Sequence, residues 1–161
     1  MLDSTIESAK GALKRARASL HRRLSPTTDR EPAPNPDSPS ERAILAKFVD
    51  AWESADLDAL VTLLTDESFI SMPPMPFEYA GRAVVVGFCA SLFRAGRRFD
   101  LVPTRANGQP AFGAYLRADA GNRHGVGLYV LTLSGDRICG MTRFESSVLG
   151  SFWLPHSLPA R

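Results

Sequence analysis

The chain has 161 residues, of which 44% are apolar and 22% are charged, and its formal net charge at neutral pH is +2. This length accommodates one ordinary domain with a terminal extension, and the apolar fraction is large enough to bury a core. No apolar run approaches the roughly 20 residues that span a bilayer, and the basic N-terminus lacks the uninterrupted apolar segment of a signal peptide, so neither a membrane-spanning helix nor a signal peptide is expected. Cys89 and Cys139 both lie in apolar runs, which favours buried reduced thiols and a cytoplasmic location.

The first predicted element is a basic amphipathic helix over residues 5–24. Ser4 and Glu7 form a capping box at its start. Residues 1–30 carry seven Lys or Arg and three Asp or Glu, whereas the remainder carries twelve and fourteen, so the basic character belongs to this helix. An apolar stripe at three- and four-residue spacing needs a partner to cover it. Its members are Ile6, Ala9, Leu13, Ala16, Leu20 and Leu24.

A proline-rich segment, SPTTDREPAPNPDSP, follows the helix and has the composition of an extended linker. Ser38, Pro39 and Glu41 then give a second helix start, with a capping box and proline at the first helical position. The sequence thus predicts three parts: a helix over 1–25, a linker over 26–38 and a domain over 39–161.

Within the domain the apolar spacing predicts two consecutive helices, a short strand that ends at a proline-rich turn, and a third helix that stops at Gly96. The segments after that alternate or run apolar and are separated by NG, AGN and SGD turns. Helices gathered first and strands gathered last predict an α+β fold in which a curved antiparallel sheet wraps over helices.

Several phrases of the domain resemble one family. The segments FVDAWESADLDALVTLLTDESFISMPPMPFEYAGR, FDLVPTRANGQPAFGAYLR, GLYVLTLSGDRICGMTRF and FWLPHSLP are similar to the C-terminal SnoaL-like domain of actinobacterial extracytoplasmic-function (ECF) sigma factors. The resemblance covers about residues 40–158, and MPPMP with EYAGR, and TRANGQPAFG, are its most specific parts. It implies a SnoaL-like, nuclear-transport-factor-like cone, preceded by the isolated basic helix.

The opening helix is similar to the end of sigma region 4, whose recognition helix runs into a basic tail. The resemblance implies a helix that lies in the major groove of a promoter element with its cations near phosphates. Met1 aligns just before the recognition helix, so we expect the chain to be the C-terminal part of a sigma factor, as the result of a truncated gene, a misplaced start codon or a fragment prepared for expression. On its own the helix is expected to bind phosphates nonspecifically. The alternatives are a solvated cationic tail, or a helix that packs on the SnoaL-like domain or on a dimer mate. The expected DNA contacts are Ser8, Lys10, Lys14, Arg15 and Arg17.

The implied cone encloses a pocket suited to a small, flat, partly apolar ligand. If their segment is extended, Arg105, Asn107 and Gln109 share one face, where a guanidinium and two amides could bind a carboxylate or carbonyl. The alternatives are that these three residues form the solvent-exposed face of an edge strand, or that NG forms a hairpin turn. Aromatic and methionine residues could supply the walls or be ordinary core. The predicted ligand pocket consists of Trp52, Met72, Phe77, Tyr79, Arg105, Asn107, Gln109, Tyr115 and Phe144.

Superfamily members that act as polyketide cyclases or isomerases use a buried Asp, often with a His, to remove a proton beside a carbonyl. No pair of acidic residues here has diagnostic spacing, so no catalytic residue is assigned. The histidines are far apart and no CxxC or GxGxxG motif is present, so no metal or cofactor is expected. The candidate bases are Asp58, Glu78, Asp100, His124 and Glu145.

Three hypotheses follow. The main one is a regulatory SnoaL-like portion of an ECF sigma factor that modulates transcription by contacting the sigma core or sensing a small ligand, with RNA polymerase and promoter DNA as partners of the longer protein. The alternative is a stand-alone cyclase or isomerase of the SnoaL type, which predicts a buried carboxylate facing a pocket. The third is a homodimer through an apolar outer sheet face.

Overall fold

The computed structural model describes residues 30–118 and 121–159. No helix within those residues is long and apolar enough to cross a membrane. The basic helix predicted over 1–25 lies outside the described residues, as does the start of the predicted linker. The same holds for the predicted DNA contacts Ser8, Lys10, Lys14, Arg15 and Arg17.

The first described helix, α1, spans Pro39–Ser54 and begins where the capping box predicts. The Glu41 backbone N–H donates to Ser38 Oγ at 3.1 Å, and the Glu41 carboxylate accepts from the Asp37 backbone N–H at 2.8 Å. The second half of the predicted linker is therefore tied to the start of α1. The helix ends at Ala55, whose left-handed backbone (φ 59°) stops it.

Two shorter helices complete the helical layer. Helix α2 spans Leu57–Leu63, and its N-cap Asp56 accepts a hydrogen bond from the Ala59 N–H at 2.9 Å. Helix α3 spans Arg82–Arg94 and starts after Gly81, whose φ of 95° turns the chain out of the preceding strand. The helices pack their apolar sides onto the sheet.

Seven strands form one sheet in the order β2-β1-β6-β5-β4-β3, with the short β7 paired to β5. All neighbouring pairs are antiparallel except β1 and β6, which run parallel, so the sheet is mixed where the sequence predicted an antiparallel one. The long excursion of the chain between β1 and β6 makes parallel pairing sterically accessible. The strands are β1 Leu64–Ser71, β2 Glu78–Ala80, β3 Phe99–Ala106, β4 Gln109–Arg117, β5 Arg123–Ser134, β6 Arg137–Phe144 and β7 Ser157–Leu158.

Alternation along the strands separates two faces. The inner face packs on the helices and holds the main core, in which Phe48 and Trp52 of α1 meet Phe112 of β4 and Tyr129 of β5. Register shifts interrupt three strand pairs, β1·β6, β4·β5 and β5·β6. Such bulges increase local bending and twist, which curves the sheet around the helical layer.

The outer face is partly covered by the end of the chain. A 3-10 helix, Ser146–Phe152, packs Leu149 with Leu128 of β5. A Cβ on Gly125 would lie 2.5 Å from Leu149 Cδ1, so this close approach depends on glycine. The Tyr115 hydroxyl donates to the Pro155 carbonyl at 2.8 Å and anchors the tail. This cover removes much of the exposed apolar surface on which the homodimer hypothesis rests.

Candidate functional site

A cavity of about 400 Å³ lies between helix α3 and the inner face of the sheet. This volume falls in the usual range for small-molecule sites. Residues of α3, of β3 to β5 and of the turn after β1 make its walls apolar. These wall residues are Met72, Phe88, Leu92, Phe99, Leu116 and Val126.

Two arginines and one tyrosine are the polar groups of this inner cavity. Arg97 follows α3, Arg143 lies near the end of β6, and Tyr129 lies in the middle of β5. Arg143 Nη2 donates to the Val126 carbonyl at 2.9 Å, which holds the guanidinium at the cavity wall. The cavity therefore has an apolar body and a cationic side.

Burial sets the protonation state of the tyrosine. It raises the pKa of Tyr129 to about 12, and the opposing positive charges of Arg143 and Arg97 do not offset it. Tyr129 consequently keeps its proton at neutral pH and can donate a hydrogen bond. Burial also raises the pKa of the Cys89 thiol to about 12, so this core cysteine is not a nucleophile at neutral pH.

No aspartate, glutamate or histidine is among the cavity-lining residues in the part of the chain that the structure describes. Of the five candidate bases, four are exposed, namely Asp58, Glu78, His124 and Glu145. The fifth, Asp100, is buried and lines a different cavity of about 390 Å³, where Arg117 and Arg123 hydrogen-bond its two carboxylate oxygens. Within the described ranges no group of three His, Cys, Asp or Glu side chains could hold a metal ion.

The comparisons with known proteins agree with this architecture. The family model for the SnoaL-like domain matches residues 45–141. The chain belongs to the SnoaL-like domain family. The predicted SnoaL-like, nuclear-transport-factor-like α+β fold is thereby confirmed.

Solved structures show the same SnoaL-like fold. One is a putative ketosteroid isomerase from Kribbella flavida, which is 20% identical in sequence and has a TM-score of 0.55. The match covers 68% of this chain and 79% of the Kribbella flavida chain. Another is an NTF2-like protein of unknown function from Mesorhizobium loti, which is 27% identical in sequence and has a TM-score of 0.55. The match covers 68% of this chain and 95% of the Mesorhizobium loti chain.

A longer match extends beyond the SnoaL-like domain. The chain is 36% identical over 150 residues to the ECF RNA polymerase sigma factor SigG from two strains of Mycobacterium tuberculosis. The alignment covers 91% of this chain and 40% of SigG, so the chain spans two fifths of the length of the curated relatives it matches.

The RANGQ segment of the SnoaL-like domain does not place its three polar side chains on one face. Asn107 (φ 51°) and Gly108 (φ 76°) form a two-residue hairpin turn between β3 and β4, where Ala106 pairs with Gln109. The extended spacing that convergence requires is therefore broken. Asn107 and Gln109 line a second, outer cavity, whereas Arg105 makes contacts elsewhere.

Arg105 joins the sheet to the start of α1. It contacts the buried Glu41 carboxylate, donates to Asp37 Oδ1 at 2.9 Å and donates to the Gly108 carbonyl at 3.0 Å. Hydrogen bonds to Glu41 and Asp37 raise the pKa of Arg105 further above its ordinary value. These partners occupy the guanidinium and give it a structural role.

The remaining predicted pocket residues lie in separate places. Met72 lines the inner cavity, and Phe144 lines the outer one. Tyr79 packs on Phe88, with ring centroids 4.9 Å apart, and so lies behind the inner cavity wall. Phe77 is 55% exposed. The other two, Trp52 and Tyr115, are fully buried in the packing of the inner and outer faces.

The outer cavity has a volume of about 250 Å³ and lies under the 3-10 helix. Besides Asn107, Gln109 and Phe144, apolar side chains of β5 and of the 3-10 helix form its wall. Gln109 Nε2 donates to Thr132 Oγ1 at 3.1 Å, so its amide is already engaged. Of the nine predicted pocket residues, one therefore lines the inner cavity, three line the outer cavity on the opposite face of the sheet, and five line neither of the two.

Sequence reasoning missed Arg97, Tyr129 and Arg143. One signal was available for Arg143, because it stands two residues after Met141 in β6 and alternation puts both on the inner face. An arginine that lies an even number of residues from a core residue of the same strand is expected to face the interior. Arg97 lies in the connection after α3, where periodicity gives no direction.

Proposed function

We propose that this chain is the C-terminal part of an ECF RNA polymerase sigma factor, in which the SnoaL-like domain regulates transcription initiation. The observation that carries the proposal is the match to SigG, which at 36% identity covers 91% of the chain and extends beyond the SnoaL-like domain. A match confined to the shared domain would fit many proteins with this fold, because a fold by itself does not define a function.

In this proposal the inner cavity senses a small ligand rather than converting one. Proton abstraction beside a carbonyl requires a base within hydrogen-bond reach of the substrate. The described lining offers two guanidinium groups and a protonated tyrosine, which are donors that bind and polarise but do not remove protons at neutral pH. This chemistry supports ligand binding over the cyclase or isomerase alternative.

The partners follow from the sigma-factor assignment. The longer protein contacts RNA polymerase and promoter DNA, and acts in the cytoplasm where transcription takes place. Residues 1–25 form the end of region 4 in this proposal, and Ser8, Lys10, Lys14, Arg15 and Arg17 contact DNA. Cations that neutralise phosphates make such binding fall steeply with salt concentration.

The DNA upstream of the Met1 codon tests the assignment. We expect the reading frame to continue upstream and to encode the rest of region 4 and a region 2. A stop codon immediately upstream in the same frame, with no alternative start that includes those regions, contradicts the proposal that the chain belongs to a complete sigma factor. Sequencing of the transcript's 5′ end distinguishes a misassigned start from a true one.

A further inference from the structure

We propose that the inner cavity selects a small amphipathic organic carboxylate, with its apolar body against the α3 side and its anionic head between Arg97 and Arg143. The inference rests on the proposed function only in treating the cavity as a binding site. It goes further in assigning the chemical class of the ligand and the two residues that select it.

The first support is an uncompensated positive charge. Arg105, Arg117 and Arg123 each pair with a carboxylate, whereas among the described residues no aspartate or glutamate lines the cavity beside Arg97 and Arg143. The arginines that the sheet uses for structure each have a carboxylate partner. Arg97 and Arg143 have no carboxylate beside them in that lining, so an anion that enters finds two guanidinium groups whose charge is not neutralised there.

The second support is convergence of these groups. Arg97, Tyr129 and Arg143 all line this one cavity, and Arg143 hydrogen-bonds the Tyr129 side chain. Arg143 donates from Nη2 to the Val126 carbonyl and also hydrogen-bonds the Tyr129 side chain, and because a guanidinium has five N–H donors it can still donate to a ligand. A carboxylate accepts several hydrogen bonds and matches the planar guanidinium fork.

The third support is the remainder of the wall, which has no polar side chain. Phe88 and Leu92 of α3 line it together with Phe99, Leu116 and Val126 of the sheet. An inorganic anion would leave this apolar surface exposed to water, whereas an aryl or short alkyl group would be buried against it. A volume of about 400 Å³ accommodates a bicyclic aromatic acid but not a large one.

The test compares 1-naphthoate with its neutral isostere 1-naphthamide on the full chain by isothermal titration calorimetry. We expect naphthoate to bind at least about tenfold more tightly, since hydrogen bonds to a charged group contribute more than neutral ones. Arg143→Gln and Arg97→Gln should each weaken naphthoate binding about tenfold and change naphthamide binding less than about twofold. Arg143→Lys, which keeps the charge, should retain part of the selectivity.

Arg94→Gln is the matched control, because Arg94 lies at the exposed end of α3 and outside the cavity lining. Equal affinity for naphthoate and naphthamide, no naphthoate binding at millimolar concentration, or an equal loss in Arg94→Gln and Arg97→Gln overturns the inference. Arg97 is exposed, so its variant is expected to fold even if an Arg143 variant does not. The assay uses neither polymerase nor promoter, so its failure is distinguishable from failure of the sigma-factor proposal.

Discussion

Replacing Trp52 with alanine is expected to destabilise the domain by about 4 kcal/mol, within the range for large-to-small changes in a core. Trp52 is 1% exposed and its ring lies 5.1 Å from Tyr129, 5.4 Å from Phe48 and 5.6 Å from Phe93, measured between centroids. Alanine would leave a cavity among these rings that the strands and α1 cannot close. Urea unfolding followed by far-ultraviolet circular dichroism measures the change.

The second tryptophan supplies the control. Trp153 is 97% exposed at the end of the 3-10 helix, so Trp153→Ala should change stability by less than about 0.5 kcal/mol. Trp52→Phe should cost less than half as much as Trp52→Ala, because Trp52 Nε1 has no hydrogen-bond partner to lose among the described residues. Equal effects of the two alanine substitutions would show that Trp52 is not the centre of the core.

Asp100→Asn is expected to destabilise the domain by about 3 kcal/mol, at the lower end of the range for breaking a buried ion pair. Asp100 Oδ1 accepts from Arg117 at 2.6 and 2.9 Å, and Oδ2 accepts from Arg123 Nη1 at 3.1 Å. The Arg123 side chain is 12% exposed, so the substitution leaves a poorly solvated cation without its counter-charge. Arg123 also donates to the Pro159 carbonyl, so we expect the tail to loosen.

The same carboxylate gives an acid dependence with a defined sign. Burial alone raises the pKa of Asp100, but hydrogen bonds from Arg117 and Arg123 outweigh burial and lower it below the ordinary value. Its stabilisation is thus complete above the unfolded pKa of about 3.9 and is lost as pH falls through the folded value. The free-energy difference between wild type and Asp100→Asn should therefore shrink below about pH 4.

Asp136→Asn is the control for both measurements. Asp136 is 92% exposed and lies 4.0 Å from Arg137, so its replacement should have little effect on stability at any pH. If Asp100→Asn behaved like Asp136→Asn in urea unfolding at neutral pH, the cluster of Asp100, Arg117 and Arg123 would not stabilise the sheet.

Local chemistry allowed much of the fold to be predicted. The Ser38–Glu41 capping box marks the start of α1, and the hydrogen bond between the two residues is present at 3.1 Å. The NG and SGD phrases mark the β3–β4 and β5–β6 hairpins. Both signals act over a few residues, where sequence neighbours are also neighbours in space. The parallel pairing of β1 with β6 joins residues about 70 positions apart and leaves no local trace.

The site was less predictable, because it depends on which face each strand residue occupies. Alternation fails at bulges, and the shift between Ala114 and Tyr115 in the β4·β5 pair puts Val126 on the inner face together with Tyr129. Alternation also fails at turns, and the turn between β3 and β4 leaves Arg105 and Gln109 on different faces of the sheet. A resemblance to a family locates a cavity between sheet and helices but does not determine which side chains of this sequence reach it.

Arg97 and Arg143 give the regulatory proposal a physical form. A ligand that binds between Arg97, on the helix side, and Arg143, on the sheet side, links the two layers of the domain. Such a ligand stabilises conformations in which the helical layer lies close to the sheet. It can shift the equilibrium between a closer and a more open arrangement of the layers only by the difference in its affinity for the two. The coupling to transcription is therefore limited by the affinity difference that these two residues provide.

Promoter-dependent transcription in vitro tests the central claim most directly. The longer sigma factor that we propose contains this chain would be compared with a variant that ends at residue 38, each with core RNA polymerase on the same promoter and at several salt concentrations. We predict that removal of the SnoaL-like domain changes initiation by at least about fivefold, the lower limit of typical coupling between sites. Identical initiation by the two proteins would contradict a regulatory role for the domain.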